Sequence, residues 1–328
     1  MKNNQATIRK AGGVALLLLL LLCGFFALRL GSAEMDLPAF WAGLTGQSAT
    51  ERIILYHLRL PRILGAVLAG IGLSVAGLLL QTVTGNDLAG PNIIGVNAGA
   101  GLGAILTLFF APELVLLLPV TAFAGAFLTA LLIVAIAARI DTSKATVILA
   151  GVAVTALLNA GISLISLLDT DVLASYNHFS IGGLAGIALK QLPLPALLIL
   201  CCFALALLFA KRIEVLTLGD SIAASLGLRV RPIRIFCLIL ASASAAAAVS
   251  FAGLLGFVGL VVPHMARRMA RGLRQQLLYA ALLGSILVLL ADLLGRILTA
   301  PSELPVGILL AAIGAPFFFY LLIRRKKP

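Results

Sequence analysis

The stretch LRLPRILGAVLAGIGLSVAGLLLQTVTGNDLAGPNIIGVNAGAGLGA, residues 58–104, contains the features that decide the fold of this chain. Two arginines, Arg59 and Arg62, stand at the start of an apolar run that ends at Gln81. A polar loop separates this run from a second one rich in Gly and Ala. Runs of this length suit helices that cross the hydrocarbon core of a bilayer, which takes about 20 apolar residues. The stretch therefore predicts two membrane helices with arginines at one mouth.

The composition of the whole chain extends this prediction. Of the 328 residues, 62% are hydrophobic and 11% are charged, and the mean hydropathy is +1.15. A soluble domain has no core large enough to bury that much apolar surface. Because lipid offers backbone groups no water partners, only helices or closed barrels can span it, and continuous apolar runs favour helices. We predict an all-α, polytopic membrane protein.

Ten apolar runs follow one another along the chain, and the eighth is short for a full span at about 1.5 Å per residue. With a cytoplasmic N-terminus, 18 of the 24 basic residues fall on the inside, as the positive-inside rule expects. The sequence therefore predicts about ten transmembrane helices in a single domain, residues 1–328, with both termini cytoplasmic. The runs are residues 12–30, 59–81, 92–110, 114–138, 145–168, 193–210, 232–251, 254–265, 276–298 and 305–323.

The first run permits a second interpretation. The basic segment MKNNQATIRK, the apolar run and the small residues that follow Leu30 resemble a cleavable secretory signal. Cleavage would leave nine helices and place the new terminus outside the membrane. Ten helices remain the preferred prediction.

The sequence contains no pattern typical of an enzyme or a metal site. His57, His178 and His264 are dispersed, and neither HExxH, GxSxG nor a Walker A motif occurs. Asp292 lies near the interior of a run, and Arg296 follows it by four residues, which predicts an ion pair on one helix face. The net charge of +12 indicates membrane orientation and contact with anionic lipid rather than binding of nucleic acid.

The longest inside loop, residues 211–234, has an amphipathic centre at Leu218 to Gly227. Asp220 and Ser221 are suited to cap a short helix there, and Gly219 and Gly227 permit tight turns on either side. The loop is either an ordinary surface connection or a helix that contacts a cytoplasmic partner.

Four segments resemble the FecCD, or BtuC-like, family, the permease subunits of bacterial ATP-binding-cassette (ABC) importers for iron-siderophore complexes, heme and cobalamin. They are residues 58–104, LGDSIAASLG (218–227), GLLGFVGLVVPHMARR (253–268) and ELPVGILLAAIGAPFFFYLL (303–322). The resemblance implies a type II importer permease in the inner membrane that moves ferric siderophores, with heme or cobalamin as alternative cargo. It retains the first helix.

The resemblance also implies partners. Two permease copies, either identical or related, would enclose the path. Two cytoplasmic ATPase subunits would bind ATP-Mg, and an extracytoplasmic binding protein would deliver the substrate. The chain itself would bind no cofactor or metal and would have no catalytic residue.

Roles for individual residues follow from the matched motifs. LRLPR and ADLLGR carry Arg59, Arg62 and Arg296, which would receive glutamates of the binding protein; snorkelling at the interface is the alternative. Thr142 and Ser143, between the fourth and fifth runs, would help to form the cytoplasmic gate or cap the fifth helix. The residues that would couple the ATPase are Leu218, Gly219, Asp220, Ala223, Ala224, Leu226 and Gly227. Polar groups that could line the path or bridge helices are Gln81, Asn86, Asn97 and Asn159.

One loop departs from the family pattern. The family has RNPLA-x-P after the second run, whereas this chain reads GNDLAGP at residues 85–91, so that Gly85 and Asp87 replace an arginine and a proline. Two other classes of membrane protein are alternatives to the importer. An ion-coupled secondary transporter would show intramembrane acids and inverted repeats, and an intramembrane enzyme would show paired catalytic groups. Neither pattern is evident.

Overall fold

A computed structural model describes residues 2–31, 35–140 and 144–325. The predicted gate residues Thr142 and Ser143 lie outside the described residues. Within the described ranges the fold is almost entirely helical, with short 3-10 and π turns between the α-helices. The α-helices are α1 (Lys2–Arg29), α2 (Leu37–Thr45), α3 (Ala49–Ile53), α4 (Leu60–Thr84), α5 (Val96–Phe110), α6 (Leu118–Ile140), α7 (Lys144–Leu168), α8 (Thr170–Ile181), α9 (Pro193–Val215), α10 (Asp220–Ser225), α11 (Val230–Ala252), α12 (Val258–Met269), α13 (Leu273–Leu298) and α14 (Val306–Arg325).

Each predicted apolar run coincides with one of these helices, which confirms the all-α membrane architecture. Among the described residues, seven helical segments are long and apolar enough to cross a membrane, judged by length and composition. They contain α1, α4, α6, α7, α9, α11 and α13. Helices α5 and α14 contribute shorter apolar segments, and α12 has 12 residues. The count of ten spans stays a prediction.

Small residues let the central helices approach closely. A Cβ atom on Gly70 of α4 would overlap the backbone of Gly284 on α13, and one on Gly77 would overlap Gly259 on α12. In the next helix, Gly99 of α5 meets the backbone of Gly125 on α6 in the same way. The small-residue spacing in the sequence is therefore used for helix packing, as membrane helices commonly use it.

Two predicted helix ends are wrong. Helix α4 continues past Gln81 to Thr84, because Thr82 and Thr84 donate their hydroxyls to carbonyls one turn earlier and thus remain compatible with a helix in the protein interior. Gly85 then ends it in the left-handed region at φ 60°.

Helix α12 also differs from the prediction. Phe257, at φ 64°, holds the residues before Val258 outside the helix, so α12 begins later than the predicted run at residue 254. The helix also continues past the end of that run at residue 265 and ends at Met269, with Pro263 inside it. Proline has no N–H to donate to the carbonyl four residues earlier, which is that of Gly259. Gln81 donates its side-chain N–H to this carbonyl at 3.3 Å and so compensates for the lost bond.

Candidate functional site

The three outer arginines that the sequence singles out lie around one cavity of about 350 Å³. Arg59 precedes α4, Arg62 lies in its first turn, and Arg296 lies in the last turn of α13. Arg59 and Arg62 lie more than 230 residues before Arg296 in the sequence. The three share this cavity because α4 packs against α13. The structure therefore brings the predicted docking residues together.

Two carboxylates neutralise this cluster from inside the chain. Arg62 donates from Nε to Asp292 Oδ1 at 2.7 Å and from Nη1 to Glu303 Oε2 at 2.6 Å. The Asp292 side chain is completely buried, while 28% of the Glu303 side chain is exposed. Arg296 lies 3.2 Å from the second oxygen of Asp292, which confirms the predicted i, i+4 ion pair.

The Nη1 groups of Arg59 and Arg296 donate to the C-terminal end of α1. Arg59 Nη1 donates to the carbonyls of Leu28 and Arg29 at 2.6 Å, and Arg296 Nη1 donates to those of Ala27 and Leu30 at 3.2 and 3.3 Å. A helix leaves its last carbonyls without internal partners, and cations stabilise that end. Arg59 and Arg296 thus have a structural role at the C-terminal end of α1.

Glu303 is the residue of this site that the sequence interpretation missed. It lies in the loop before α14 and lines both the arginine cavity and a neighbouring cavity of about 360 Å³. Arg62 also lines both, so the Arg62–Glu303 pair forms part of the wall between them. Glu303 begins the ELPVG segment, which was the only indication of its importance in the sequence. An acidic residue in a loop has no sequence feature that predicts which residue it contacts.

At the end of the molecule predicted to be cytoplasmic, the predicted coupling loop forms the short helix α10. Gly219, at φ 94°, precedes it and Gly227, at φ 81°, follows it, which confirms the two predicted turns. Its large apolar side chains are exposed: Leu218 by 52%, Ile222 by 53% and Leu226 by 64%. Ala223 is fully buried and Ala224 is exposed. The loop therefore presents an apolar surface away from the rest of the chain.

The predicted cap of this helix is wrong. Asp220 is the first helical residue rather than the cap, and Gly219 at the cap position offers no side chain to the helix. The Asp220 carboxylate instead accepts a hydrogen bond from Arg234 Nη2 on α11 at 2.6 Å. The guanidinium of Arg234 adds the attraction between two opposite charges, which a neutral backbone N–H does not offer.

The four polar residues considered for the path occupy different surroundings. Gln81 is 1% exposed and bridges α4 to α12. Asn86 accepts a hydrogen bond from the backbone of Leu88 at 3.0 Å and organises the loop after α4. Asn97 is half-buried at the start of α5, whereas Asn159 is exposed on α7. Of the four, Asn159 lies on a surface that another molecule can cover.

The loop that departs from the family pattern is held by an ion pair. Asp87, which replaces a proline, pairs with Arg267 on α12. Gly85, which replaces an arginine, adopts a left-handed conformation at φ 60° that glycine accepts without strain. This loop therefore lacks the proline that would stiffen its backbone, and an ion pair connects it to α12 instead.

Comparisons with known proteins agree over nearly the whole chain. The FecCD transport family profile matches residues 18–324. The Fe(3+)-citrate import system permease protein YfmE of Bacillus subtilis (strain 168) is 36% identical over 94% of this chain and 93% of its own length. The hemin transport system permease protein HmuU of Yersinia pestis is 34% identical over 95% of both. A solved structure of a metal-chelate type ABC transporter in an inward-facing conformation superposes with a TM-score of 0.87 at 29% identity, covering 96% of this chain and 99% of that one.

Proposed function

The chain belongs to the FecCD transport family, and from that premise we propose that it forms the transmembrane path of an ABC importer for ferric siderophore complexes. The observation that carries the proposal is the match to iron-chelate permeases over more than nine-tenths of the chain. An all-helical membrane body with an exposed apolar loop at one end suits such a subunit. The whole chain would act as one permease domain.

Energy would come from a separate ATPase. The exposed side chains of Leu218, Ile222 and Leu226 supply a surface that a groove on a cytoplasmic subunit could cover, and desolvation of this surface would stabilise the complex. Closure of two ATP-Mg-bound subunits would move the α10 helices and open the path outward, and hydrolysis would reset it. In this proposal the permease binds no cofactor and is not itself an enzyme.

A second permease copy would complete the path. Little of α7 is buried inside the chain, and its exposed surface combines Leu157 with the polar Asn159. Because the resembled importers enclose their path between two permeases, we infer a homodimer or a pair with a related permease. Thr142 and Ser143, just before α7, would contribute to the inner gate. Both termini would lie in the cytoplasm, and the complex would reside in the inner membrane.

An extracytoplasmic binding protein would dock at the outer arginines. Arg62 is the best-placed residue, because its partner Glu303 is partly exposed and an incoming carboxylate can replace it with the same geometry. Asp292, fully buried, would keep Arg62 and Arg296 in position during the exchange. Docking would then substitute one ion pair for another without leaving a buried arginine unneutralised.

Uptake of radioactive iron tests the function. Vesicles containing this permease and its ATPase would be supplied with a ferric siderophore and its binding protein, with and without ATP. We expect ATP-dependent uptake that excess heme or cobalamin does not reduce. ATP-dependent transport of heme alone would support the alternative that the hemin permease relative suggests. Uptake driven by an ion gradient without ATP would contradict the ABC importer.

A further inference from the structure

The connection between α10 and the membrane body depends on a small number of contacts. Ala223 is buried, and the backbone N–H of Leu228 donates to its carbonyl at 3.0 Å, which closes the loop on itself. The ion pair between Asp220 and Arg234 links the first residue of α10 to the second turn of α11. The large apolar side chains of the loop point away from this link. A partner that holds them can therefore pull on α11 through Asp220.

Arg234 is placed to receive such a force. Its side chain is 3% exposed, whereas that of Asp220 is 48% exposed. Exposed ion pairs contribute little, but removal of one member of a pair that includes a buried charge is costly. The pair therefore joins a half-exposed acid of the loop to an arginine buried within the helix bundle.

Helix α11 extends the link into the core. From Cys237 onward it carries a run of buried small residues, and Ser244 donates its hydroxyl to the carbonyl of Gly72 on α4 at 3.1 Å. One turn before Arg234, Arg231 donates to the carbonyl of Ala138 near the end of α6. Displacement of α11 along its axis would thus reach both the central helix α4 and the cytoplasmic end of α6.

We propose that the Asp220–Arg234 ion pair is the positioning contact through which movement of the coupling loop is transmitted to α11. The inference rests on the proposed function, since it assumes that an ATPase moves this loop. It assigns Arg234, a residue outside the loop's apolar surface, a role in converting ATP hydrolysis into transport. The ATPase itself would contact the apolar side chains and not the ion pair.

Transport per ATP hydrolysed tests this role. Asp220→Asn preserves the shape of the side chain and removes its charge, while Asp220→Glu preserves the charge. In vesicles with ATPase and binding protein, we expect Asp220→Asn to lower iron uptake per ATP hydrolysed roughly tenfold, the effect of losing one charge-assisted hydrogen bond. Asp220→Glu should retain most of the coupling. Binding of the ATPase, measured by co-purification, should not change in either variant.

A double-mutant comparison separates a pairwise effect from a general weakening of the loop. Arg234→Gln should reduce coupling as Asp220→Asn does, and the double variant should be no worse than Arg234→Gln alone. Matched controls are Glu214→Gln and Arg274→Gln, which remove one charge each at the cytoplasmic side outside this pair. Both controls should keep the wild-type ratio of iron to ATP.

The outcomes separate failure of the positioning role from failure of the proposed importer function. An unchanged ratio in Asp220→Asn with active wild type would overturn the positioning role alone. Weakened co-purification with an unchanged ratio would overturn it too, because the pair would then serve ATPase binding. Wild-type vesicles without ATP-dependent uptake would overturn the proposed function and this inference with it.

Discussion

At the face predicted to be outer, the residues proposed to meet a partner are arginines that already contact Asp292, Glu303 and the carbonyls at the end of α1. At the face predicted to be cytoplasmic, the corresponding residues are two leucines and an isoleucine that are each more than half exposed. A partner at the outer face must replace existing ion pairs, whereas a partner at the inner face only has to exclude water.

This difference matches two kinds of association. Exchange of one ion pair for another changes the free energy little and depends on salt, which suits a binding protein that docks and departs in each cycle. Burial of exposed leucines gives a net gain from the hydrophobic effect, which suits a subunit that stays bound. The comparison predicts that substitutions of charged residues affect partner binding most at the arginine cluster. Substitutions of apolar residues should affect it most at α10.

The largest effect is expected at the apolar surface. Leu226→Arg, or Gly219→Arg, should abolish transport while the permease still inserts into the membrane, because a charge cannot enter an apolar groove and Gly219 needs its positive φ. Uptake assays with immunoblots of the membrane fraction measure this. Leu44→Arg, at an exposed leucine of α2 outside the predicted membrane spans, is the control. Normal transport in Leu226→Arg would remove the coupling assignment.

Loss of the buried carboxylate should come next. Asp292→Asn deprives Arg62 and Arg296 of a shared acid, and removal of one member of a buried ion pair costs about 3–5 kcal/mol. We expect a lower unfolding temperature in detergent. Glu113→Gln, at an exposed acid elsewhere in the chain, should leave it unchanged. Equal stability of Asp292→Asn and wild type would show that the buried carboxylate does not stabilise the arginine cluster.

A smaller effect is expected at the exchangeable acid. Glu303→Gln should increase the affinity of the binding protein by about 2- to 5-fold, because Glu303 would no longer compete with the incoming carboxylate for Arg62. A partly exposed ion pair contributes a free energy of this size. The affinity can be measured by titration at low and high salt, and the gain should shrink as salt rises. Weaker docking in Glu303→Gln would mean that Glu303 orients Arg62 for its partner instead of competing with it.

The smallest effect is expected for an ion pair at the cytoplasmic face. Asp87 and Arg267 are partly exposed, so Asp87→Ala should lower the free energy of unfolding by about 1 kcal/mol or less. Comparison with Asp292→Asn in the same unfolding assay tests whether burial sets the strength of these pairs. A loss as large as that of Asp292→Asn would show that the substituted loop depends on this contact.

The sites differ in how far they could be predicted. The turns at Gly219 and Gly227 are local, so their residue type and spacing indicated them directly. The arginines were recognisable because positive charge on the outer side runs against the usual bias. Their partner Glu303 was not, since it lies some 240 residues from Arg62 and only the packing of the helices places the two together. The cap predicted for Asp220 failed for the same reason, because Arg234 is a tertiary partner.

The sequence by itself determined the class of this protein, because continuous apolar runs admit helices as the way to cross lipid, and it determined the turns, because glycine alone accepts their backbone angles. The tertiary structure decided which polar group each buried charge and carbonyl meets. Gln81 illustrates this division: the sequence shows a polar residue in an apolar run, but only the approach of α12 shows that it serves the carbonyl released by Pro263. Hydropathy is a property of single residues and segments, whereas the satisfaction of a buried polar group is a property of two segments in contact.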